Sequence, residues 1–141
     1  TLEIFECLDE FSDTQNFCDH YGFDIEDSCN AILIKAKKPR EFYAMFCVLG
    51  ANRLDVNHKA KEAMGAKKVS FASKEEAEAV TGQIYGGISP LGLPENIKVY
   101  MDKNVTNREK LFIGAGNRVS KFFLSPETLI DLSSATVLDL T

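Results

Sequence analysis

The sequence predicts a mixed α/β fold, in which short helices flank a strongly curved sheet. Segments with strand patterns outnumber those with helix patterns by about two to one, and most could pair with a neighbour along the chain. This arrangement favours a mixed sheet or a partial barrel. The length of 141 residues is typical of one folded unit, so we expect a single domain over residues 1–141.

The predicted strands are short and rich in apolar residues. The second and third are separated only by the turn Lys37–Arg40, which predicts a hairpin. In chain order the predicted strands are Leu2–Cys7, Ala31–Lys35, Phe42–Leu49, Val69–Phe71, Lys98–Asp102, Lys110–Ile113, Lys121–Leu124 and Val137–Leu140. A polar connection over residues 104–109 separates the fifth strand from the sixth.

Two capping boxes predict helix starts. In a capping box, a serine and a Glu or Gln three residues later bond to each other's main-chain N–H groups. The box Ser12–Gln15 begins a helix that runs to about Tyr21 and ends at Gly22. The box Ser73–Glu76 begins another, which ends at Gly82.

Two further helices have clear boundaries. Asp55 or Asn57 caps a short one, and Gly65 ends it. Ser125 caps the last helix, with Pro126 at its first position, where the missing N–H has no cost. The residues of this last helix predicted to face the core are Leu129, Ile130 and Leu132.

The loop Thr81–Pro94 is unusual because it is apolar as well as rich in glycine and proline. It contains four of the nine glycines and two of the four prolines. Bare backbone at Gly86 and Gly87 would let a ligand approach the main-chain N–H groups closely. The alternative is a long packed connection that binds nothing. The apolar loop residues expected to be buried are Ile84, Tyr85, Ile88, Leu91 and Leu93.

Composition excludes several classes of protein. The net charge of −5 does not suit a protein that holds a long nucleic acid by charge alone. The basic clusters, expected to be solvated surface, are residues 35–40, Lys67 with Lys68, and Arg118 with Lys121. No apolar run approaches the ~20 residues that span a bilayer. With no signal peptide in view, we expect a cytoplasmic protein that makes no membrane contact.

The cysteines and histidines predict no metal site. The spacings of Cys7, Cys18, Cys29 and Cys47 match no zinc-binding pattern, and we expect these thiols to be small buried hydrophobes. A nucleophilic pair of Cys18 with His20 is a weaker alternative, because residues two apart on a helix point in different directions. No sequence feature calls for a metal or another cofactor.

The second glycine-rich turn is Gly114–Asn117. It is not a dinucleotide fingerprint, because a strand rather than a helix follows it. Together with the loop at Gly86 and Gly87, and with Ser89 and Asp102 near in sequence, it predicts a small pocket. Such a pocket would bind its ligand through main-chain N–H groups.

These segments resemble the YbaK-like family of aminoacyl-tRNA deacylases, which are related to the editing domain inserted in some prolyl-tRNA synthetases. The resemblance covers nearly the whole chain from about Asp13. The segments that carry it are residues 86–92 (GGISPLG), 99–102 (VYMD), 112–118 (FIGAGNR) and 124–129 (LSPETL), with the lead-in residues 63–68 and 75–82.

The resemblance implies a curved, barrel-like mixed sheet of six to eight strands, and hydrolysis of the ester that joins a wrong amino acid to tRNA. The loop Gly87–Pro90 would bind the terminal aminoacyl-adenosine and stabilise the oxyanion, with Gly87, Ile88 and Ser89 at the reacting carbonyl. The other residues implied in substrate binding are Gly86, Pro90, Leu91, Asp102, Gly114, Ala115, Gly116 and Arg118. The implied partners are the tRNA 3′ end and a synthetase, and we expect a monomer or a weak homodimer.

One position departs from the family pattern. Where many relatives have a functional lysine at the start of the second strand, this chain has Asn30, which can hydrogen-bond but has no charge. Lys35 is five residues away on the same strand and therefore points to the opposite face. Asn30 could orient a water or the substrate in a variant mechanism. Alternatively, the protein could bind a nucleotide or the tRNA 3′ end without hydrolysing it.

Overall fold

The computed structural model describes residues 2–141, which form eight strands and four α-helices. The strands are β1 (Glu3–Glu6), β2 (Cys29–Lys38), β3 (Phe42–Leu49), β4 (Lys68–Phe71), β5 (Lys98–Asp102), β6 (Leu111–Gly114), β7 (Ser120–Leu124) and β8 (Thr136–Leu138). The helices are α1 (Thr14–Tyr21), α2 (Lys61–Met64), α3 (Lys74–Thr81) and α4 (Pro126–Ser133). The predicted mixed α/β fold is confirmed.

The strands form two sheets. One has five strands in the order β4-β2-β3-β5-β8, and the other has three in the order β1-β7-β6. A single parallel bridge between Ser28 and Phe112 joins them. The barrel-like arrangement is therefore open, because no continuous ladder connects the two sheets within residues 2–141.

Strand pairing is less local than the sequence suggests. The hairpins β2–β3 and β6–β7 are antiparallel and local, as expected. In contrast, β3 pairs with β5 and β5 pairs with β8 in parallel, and β1 pairs with β7 from the far end of the chain. Parallel pairs need long crossover connections, and the pattern of one strand alone does not identify such a distant partner.

The helix boundaries are mostly those predicted. The capping box at Ser73 is present: its hydroxyl accepts from the Glu76 N–H at 3.1 Å, and Glu76 Oε1 accepts from the Ser73 N–H at 3.0 Å. Ser125 caps α4, while Gly22 and Gly65 end their helices in the left-handed conformation. Within residues 2–141, no helix combines the length and the apolar composition that crossing a membrane requires.

The predicted capping box at Ser12 is wrong. A 3₁₀ turn over Asp9–Phe11 precedes α1, and the Ser12 N–H donates to the Asp9 carbonyl oxygen at 3.1 Å. This turn moves the N-cap position to Asp13, whose side chain makes no capping bond. The Ser12 hydroxyl is buried and has no hydrogen-bond partner among the described residues.

The core is divided among three clusters. Strand β3 is buried on both faces, so its residues contribute to the two clusters on either side of the larger sheet. The third cluster lies between α1 and the smaller sheet and centres on Phe17 and Phe112. The expectation that Leu132 faces the core is wrong, since 52% of its surface is exposed, whereas Leu129 is fully buried. Helix α4 thus presents only a narrow stripe to the core.

Candidate active site

A cavity of about 430 Å³ lies where the two sheets meet. Its walls come from β2, from β6 and β7, from the loop between α3 and β5, and from the start of α1. The bridge between Ser28 and Phe112 forms part of the lining. This volume suits a small molecule or the end of a larger one, since small-molecule sites occupy roughly 300–1,000 Å³.

The loop wall of the cavity is Gly86–Ile88. Two main-chain hydrogen bonds tie this loop to the turn after β6. Gly116 N–H donates to the Gly87 carbonyl oxygen at 2.6 Å, and Ile84 N–H donates to the Gly116 carbonyl oxygen at 3.0 Å. The contact is so close that a Cβ atom on Gly87 would overlap the carbonyl oxygen of Asn117. Only glycine therefore fits while the loop keeps this position.

Gln83 holds the same loop from within. Its Oε1 accepts from the Ser89 N–H at 2.6 Å, and its Nε2 donates to the Leu91 carbonyl oxygen at 3.0 Å. Ser89 is buried, and its hydroxyl accepts from the Leu91 N–H at 3.1 Å. Ser89, Pro90 and Leu91 thus lie outside the lining of the cavity, where they shape the loop. The role of Gln83 is not visible in the sequence, because nothing local marks a side chain that bonds to main-chain groups six and eight residues away.

Two main-chain N–H groups of the loop are available to a ligand, because no described residue accepts a hydrogen bond from them. The N–H of Gly87 donates to the Ile84 carbonyl oxygen at 3.0 Å, and that of Ser89 is used by Gln83. Over residues 2–141, the N–H groups of Gly86 and Ile88 have no acceptor. Both residues line the cavity. These two donors can therefore bind an oxygen of a molecule in the cavity.

Gly114 forms the wall that faces this loop. A Cβ atom at Gly114 would lie 2.6 Å from the carbonyl oxygens of both Gly87 and Ile88. A side chain there would displace the loop from the strand, so glycine is needed on both sides of the contact. The structure thus brings together the two glycine-rich segments that the sequence analysis placed in one pocket.

Asn30 also lines the cavity, at the start of β2. Its side chain is exposed and makes no hydrogen bond to another described residue, so its amide is available to a ligand. Lys35 lies outside the cavity, and its ammonium forms ion pairs with Glu76 at 2.7 Å and Glu41 at 3.3 Å. Hydrogen bonding to these carboxylates raises the pKa of Lys35 to about 12. Lys35 therefore provides no charge to the cavity, as its position on the strand predicts.

Besides Pro90 and Leu91, four of the predicted substrate-binding residues lie outside the lining of the cavity. Asp102 is fully buried, where its carboxylate accepts from the Leu140 N–H at 2.9 Å and from the Asn104 N–H at 3.3 Å. Arg118 bonds to Asp9 and covers Gly86 from outside the cavity. The other two, both in the turn after β6, are Ala115 and Gly116.

Exposed aromatic side chains border the cavity. Phe71 is 61% exposed at the end of β4, and Tyr85 is 52% exposed in the loop. The expected burial of Tyr85 and Ile84 is wrong, since Ile84 is also 50% exposed. The hydrogen bonds of the loop orient these side chains outward, which their apolar character alone does not reveal. Two exposed rings beside a cavity are available to stack on a planar group.

Lys121 departs from its predicted position at the surface. It was expected in solvated surface, but it is only 5% exposed and lines the cavity from β7. The register of the small sheet pairs it with Gly114. A lysine within the apolar strand 120–124, opposite a glycine across a short turn, was the available signal.

No described thiol is suited to act as a nucleophile. Cys29 lines the cavity, but hydrogen bonding to Cys47 and burial hold the pKa of its thiol well above the ordinary value. Burial also raises the pKa of the Cys18 thiol, and the exposed His20 ring stacks on Phe11 instead of approaching it. All four cysteines are free and buried, as expected.

Comparison with known proteins identifies the family. The sequence profile of the aminoacyl-tRNA editing domain matches residues 9–132. A protein of Enterococcus faecalis, EbsC, named as a proposed Cys-tRNA(Pro)/Cys-tRNA(Cys) deacylase, is 32% identical over 92 residues. That alignment covers 65% of this chain and 56% of EbsC.

A second relative is the proline–tRNA ligase of Nautilia profundicola, which is 33% identical over 106 residues. The match covers 74% of this chain but only 18% of the ligase. The chain therefore spans little more than half of the first relative and a small part of the second.

Solved structures show the same fold. The crystal structure of a proposed trans-editing enzyme for prolyl-tRNA synthetase superposes with a TM-score of 0.87 at 24% identity, covering 99% of this chain and 86% of that one. The crystal structure of the hypothetical protein APE2540 gives 0.88 at 23% identity, covering 99% and 91%. Since the editing-domain profile covers most of the chain and the fold agrees, this protein belongs to the aminoacyl-tRNA editing domain family.

Proposed function

We propose that this protein is an aminoacyl-tRNA deacylase, which hydrolyses the ester between a wrongly attached amino acid and the tRNA 3′ end. The observation that carries the proposal is the pair of uncommitted N–H groups of Gly86 and Ile88 at the wall of the cavity. Gly114 holds that wall in place from the other side. A small cavity with fixed main-chain donors suits an acyl-transfer reaction, in which negative charge develops on a carbonyl oxygen.

In the proposed reaction, the oxygen of a water molecule adds to the ester carbonyl carbon. The carbonyl oxygen becomes an oxyanion and accepts from the loop N–H groups. The bond from carbon to the ribose oxygen then breaks, and the proton lost by the water ends on that ribose oxygen. The products are a free amino acid and a tRNA. One donor of this kind contributes roughly 10²–10³-fold to kcat.

The described part of the cavity lining offers no carboxylate or imidazole as a general base. Among the described residues, the lining of the cavity contains no Asp, Glu or His. Proton transfer must therefore use another group, and the ribose 2′-hydroxyl of the substrate lies next to the ester. Asn30 has a free amide in the same cavity and can orient the water or the ester carbonyl. In this mechanism the protein positions the substrate and stabilises charge, and the substrate assists in moving the proton.

The test of the proposal is a panel of mischarged tRNAs. Small amino acids such as alanine, serine and cysteine are the first to try. Release of labelled amino acid above the spontaneous rate is the expected result. If no member of the panel is released faster than without protein, the proposal is wrong. Binding of a non-hydrolysable aminoacyl-adenosine analogue without any turnover would instead establish the alternative, a binding module.

We expect the exposed rings of Phe71 and Tyr85, at the edge of the cavity, to bind the unpaired end of the tRNA. Exposed rings stack on nucleobases and contribute about 1–3 kcal/mol per base. Replacing Phe71 or Tyr85 with Ala should therefore weaken binding of a mischarged tRNA by about tenfold, with little change in the rate under saturating enzyme. The measurement is a single-turnover titration. Phe71→Tyr is the control, because it keeps the ring, and equal weakening by both substitutions would contradict a stacking role.

Replacing Asp102 with Ala tests whether this residue belongs to the site. Because its carboxylate accepts two main-chain hydrogen bonds in the core, we expect the free energy of unfolding to fall by roughly 1–3 kcal/mol. Hydrolysis by the remaining folded protein should be unchanged. Urea denaturation and a hydrolysis assay at low temperature measure the two effects, with the exposed Asp131→Ala as control. Loss of activity without loss of stability would place Asp102 in substrate binding.

The proposed partners follow from the same reaction. The substrate is the 3′ end of a tRNA, and because only that tip enters the cavity, an acidic protein can bind it. We propose that the chain acts as one editing domain, as a monomer or a weak homodimer, and receives its tRNA from a synthetase. The match to part of a proline–tRNA ligase supports association with an enzyme of that type. A role on tRNA is consistent with a cytoplasmic protein.

A further inference from the structure

Lys121 is the only Lys or Arg among the described residues that line the cavity. The register pairs it with Gly114, and directly opposed residues of an antiparallel pair project from the same face of a sheet. A Cβ atom on Gly114 would lie 2.6 Å from the carbonyl oxygens of Gly87 and Ile88, so the loop packs against that face. The side chain of Lys121 therefore leaves the sheet on the side occupied by the loop with the free N–H groups.

Few described groups stabilise the positive charge of the Lys121 ammonium. Its Nζ donates to the Ser12 carbonyl oxygen at 2.8 Å and lies 5.5 Å from the centre of the Phe17 ring. Within residues 2–141 it forms no ion pair with a carboxylate. An ammonium has three N–H donors, so two remain unused. Buried lysines are rarely left in this condition unless a charge completes the site.

Neighbouring polar groups are also without partners. The Ser12 hydroxyl is buried and unbonded, and the Thr14 hydroxyl, which lines the cavity, makes no hydrogen bond to another described residue. Burial lowers the pKa of Lys121, as expected for an ammonium taken out of water, and the negative charge of nearby Asp13 opposes this shift without forming an ion pair. Arg118, the nearest other cation on this strand connection, is occupied by Asp9. Lys121 and Thr14, which both line the cavity, thus have donors that no described residue uses.

We propose that the Lys121 ammonium binds an anionic oxygen of the substrate and supplies the positive charge that Asn30 does not provide. This inference rests on the proposed deacylase function. An aminoacyl-tRNA end has two groups with such an oxygen. The phosphodiester of the terminal nucleotide is charged throughout the reaction. The ester carbonyl oxygen becomes charged only in the transition state. Both groups present a negatively charged oxygen that an ammonium can bind, and kinetic measurements distinguish which of the two Lys121 contacts.

The test compares Lys121→Met with the wild-type protein under single-turnover conditions. Methionine keeps the length and most of the volume of lysine but has no charge. A fall of roughly 10²-fold in the rate at saturation identifies the oxyanion as the partner. A rise of about tenfold or more in the concentration for half-saturation, at an unchanged rate, identifies the phosphate. Lys121→Arg, which keeps the charge, should retain more activity than Lys121→Met.

Two controls separate this inference from the proposed function and from folding. Lys110→Met removes an exposed lysine next to β6 and should leave both kinetic constants unchanged. Thermal unfolding reports a structural role: if Lys121→Met lowers the melting temperature but keeps wild-type kinetics, the lysine only supports α1 and the inference is overturned. Wild-type hydrolysis in the same experiment shows that the proposed function itself holds.

A binding measurement keeps the inference testable even if the wild-type protein releases no amino acid. The probe is an amide-linked alanyl-adenosine analogue, with and without a 5′-phosphate. Weaker binding by Lys121→Met of the phosphate form alone supports a phosphate contact. If the wild-type protein hydrolyses nothing and the Lys121→Met protein binds both analogues with wild-type affinity, the inference is overturned.

Discussion

Replacing Gly87 with Ala is expected to lower kcat/KM for release of amino acid from mischarged tRNA by roughly 10²-fold or more. A methyl group at this position would overlap the carbonyl oxygen of Asn117, so the loop must move away from the turn after β6. That movement carries the Ile88 N–H with it and breaks the bond from Gly116 to the Gly87 carbonyl oxygen. The measurement is single-turnover hydrolysis at several enzyme concentrations.

Gly92→Ala is the matched control for this substitution. Gly92 lies in the same loop, and a Cβ there meets no atom within 4 Å. Its φ of +74° makes alanine strained, so we expect some loss of stability but near wild-type hydrolysis. If Gly87→Ala keeps activity within about threefold of wild type, the N–H groups of this loop do not stabilise the oxyanion. An equal loss in both variants would point to general loosening of the loop instead.

Replacing Phe17 with Ala is expected to cost about 3–5 kcal/mol in the free energy of unfolding. Phe17 is fully buried between α1 and the small sheet. Its ring lies 5.2 Å from the rings of both Phe23 and Phe112, centre to centre. The substitution removes a fully buried ring that packs α1 against the sheet, and it leaves a cavity beneath Lys121. The melting temperature should fall by roughly 10 °C or more.

The control for Phe17 is another phenylalanine in the opposite setting. Phe71 is 61% exposed, so Phe71→Ala should change the free energy of unfolding by no more than about 0.5 kcal/mol. The two substitutions thus separate stability from recognition, because Phe71→Ala is expected to weaken tRNA binding instead. A Phe17→Ala protein as stable as wild type would mean that α1 is not held by this cluster.

Elements that depend on neighbouring residues were predicted well. The capping box at Ser73, the glycine that ends α1 at Gly22, and the hairpin of β2 with β3 all follow from contacts a few residues apart. The same is true of strand positions, which needed shifts of only one or a few residues. Ser12 is the instructive failure, because a 3₁₀ turn just upstream competed for the same N–H group.

The candidate site was predicted in part. The predicted residues that line the cavity are Gly86, Gly87, Ile88, Asn30 and Gly114. The glycines among them could be predicted because glycines mark where backbones approach closely. Which of the loop N–H groups remain free could not be predicted, since that depends on bonds from Gln83 and the turn after β6. Roles for the predicted residues stay predictions until the substitutions are measured.

By itself, the sequence determined the order of strands and short helices, the position of the glycine-rich loop, and the resemblance to the editing family. These properties are local, because dihedral preferences and capping act within a few residues. Only the tertiary structure decided that Thr14, Asn30 and Lys121 line one cavity, that Tyr85 faces outward, and that the sheet does not close. Those properties depend on which distant strands pair and in what register. A one-residue change of register would turn Lys121 to the other face of the sheet.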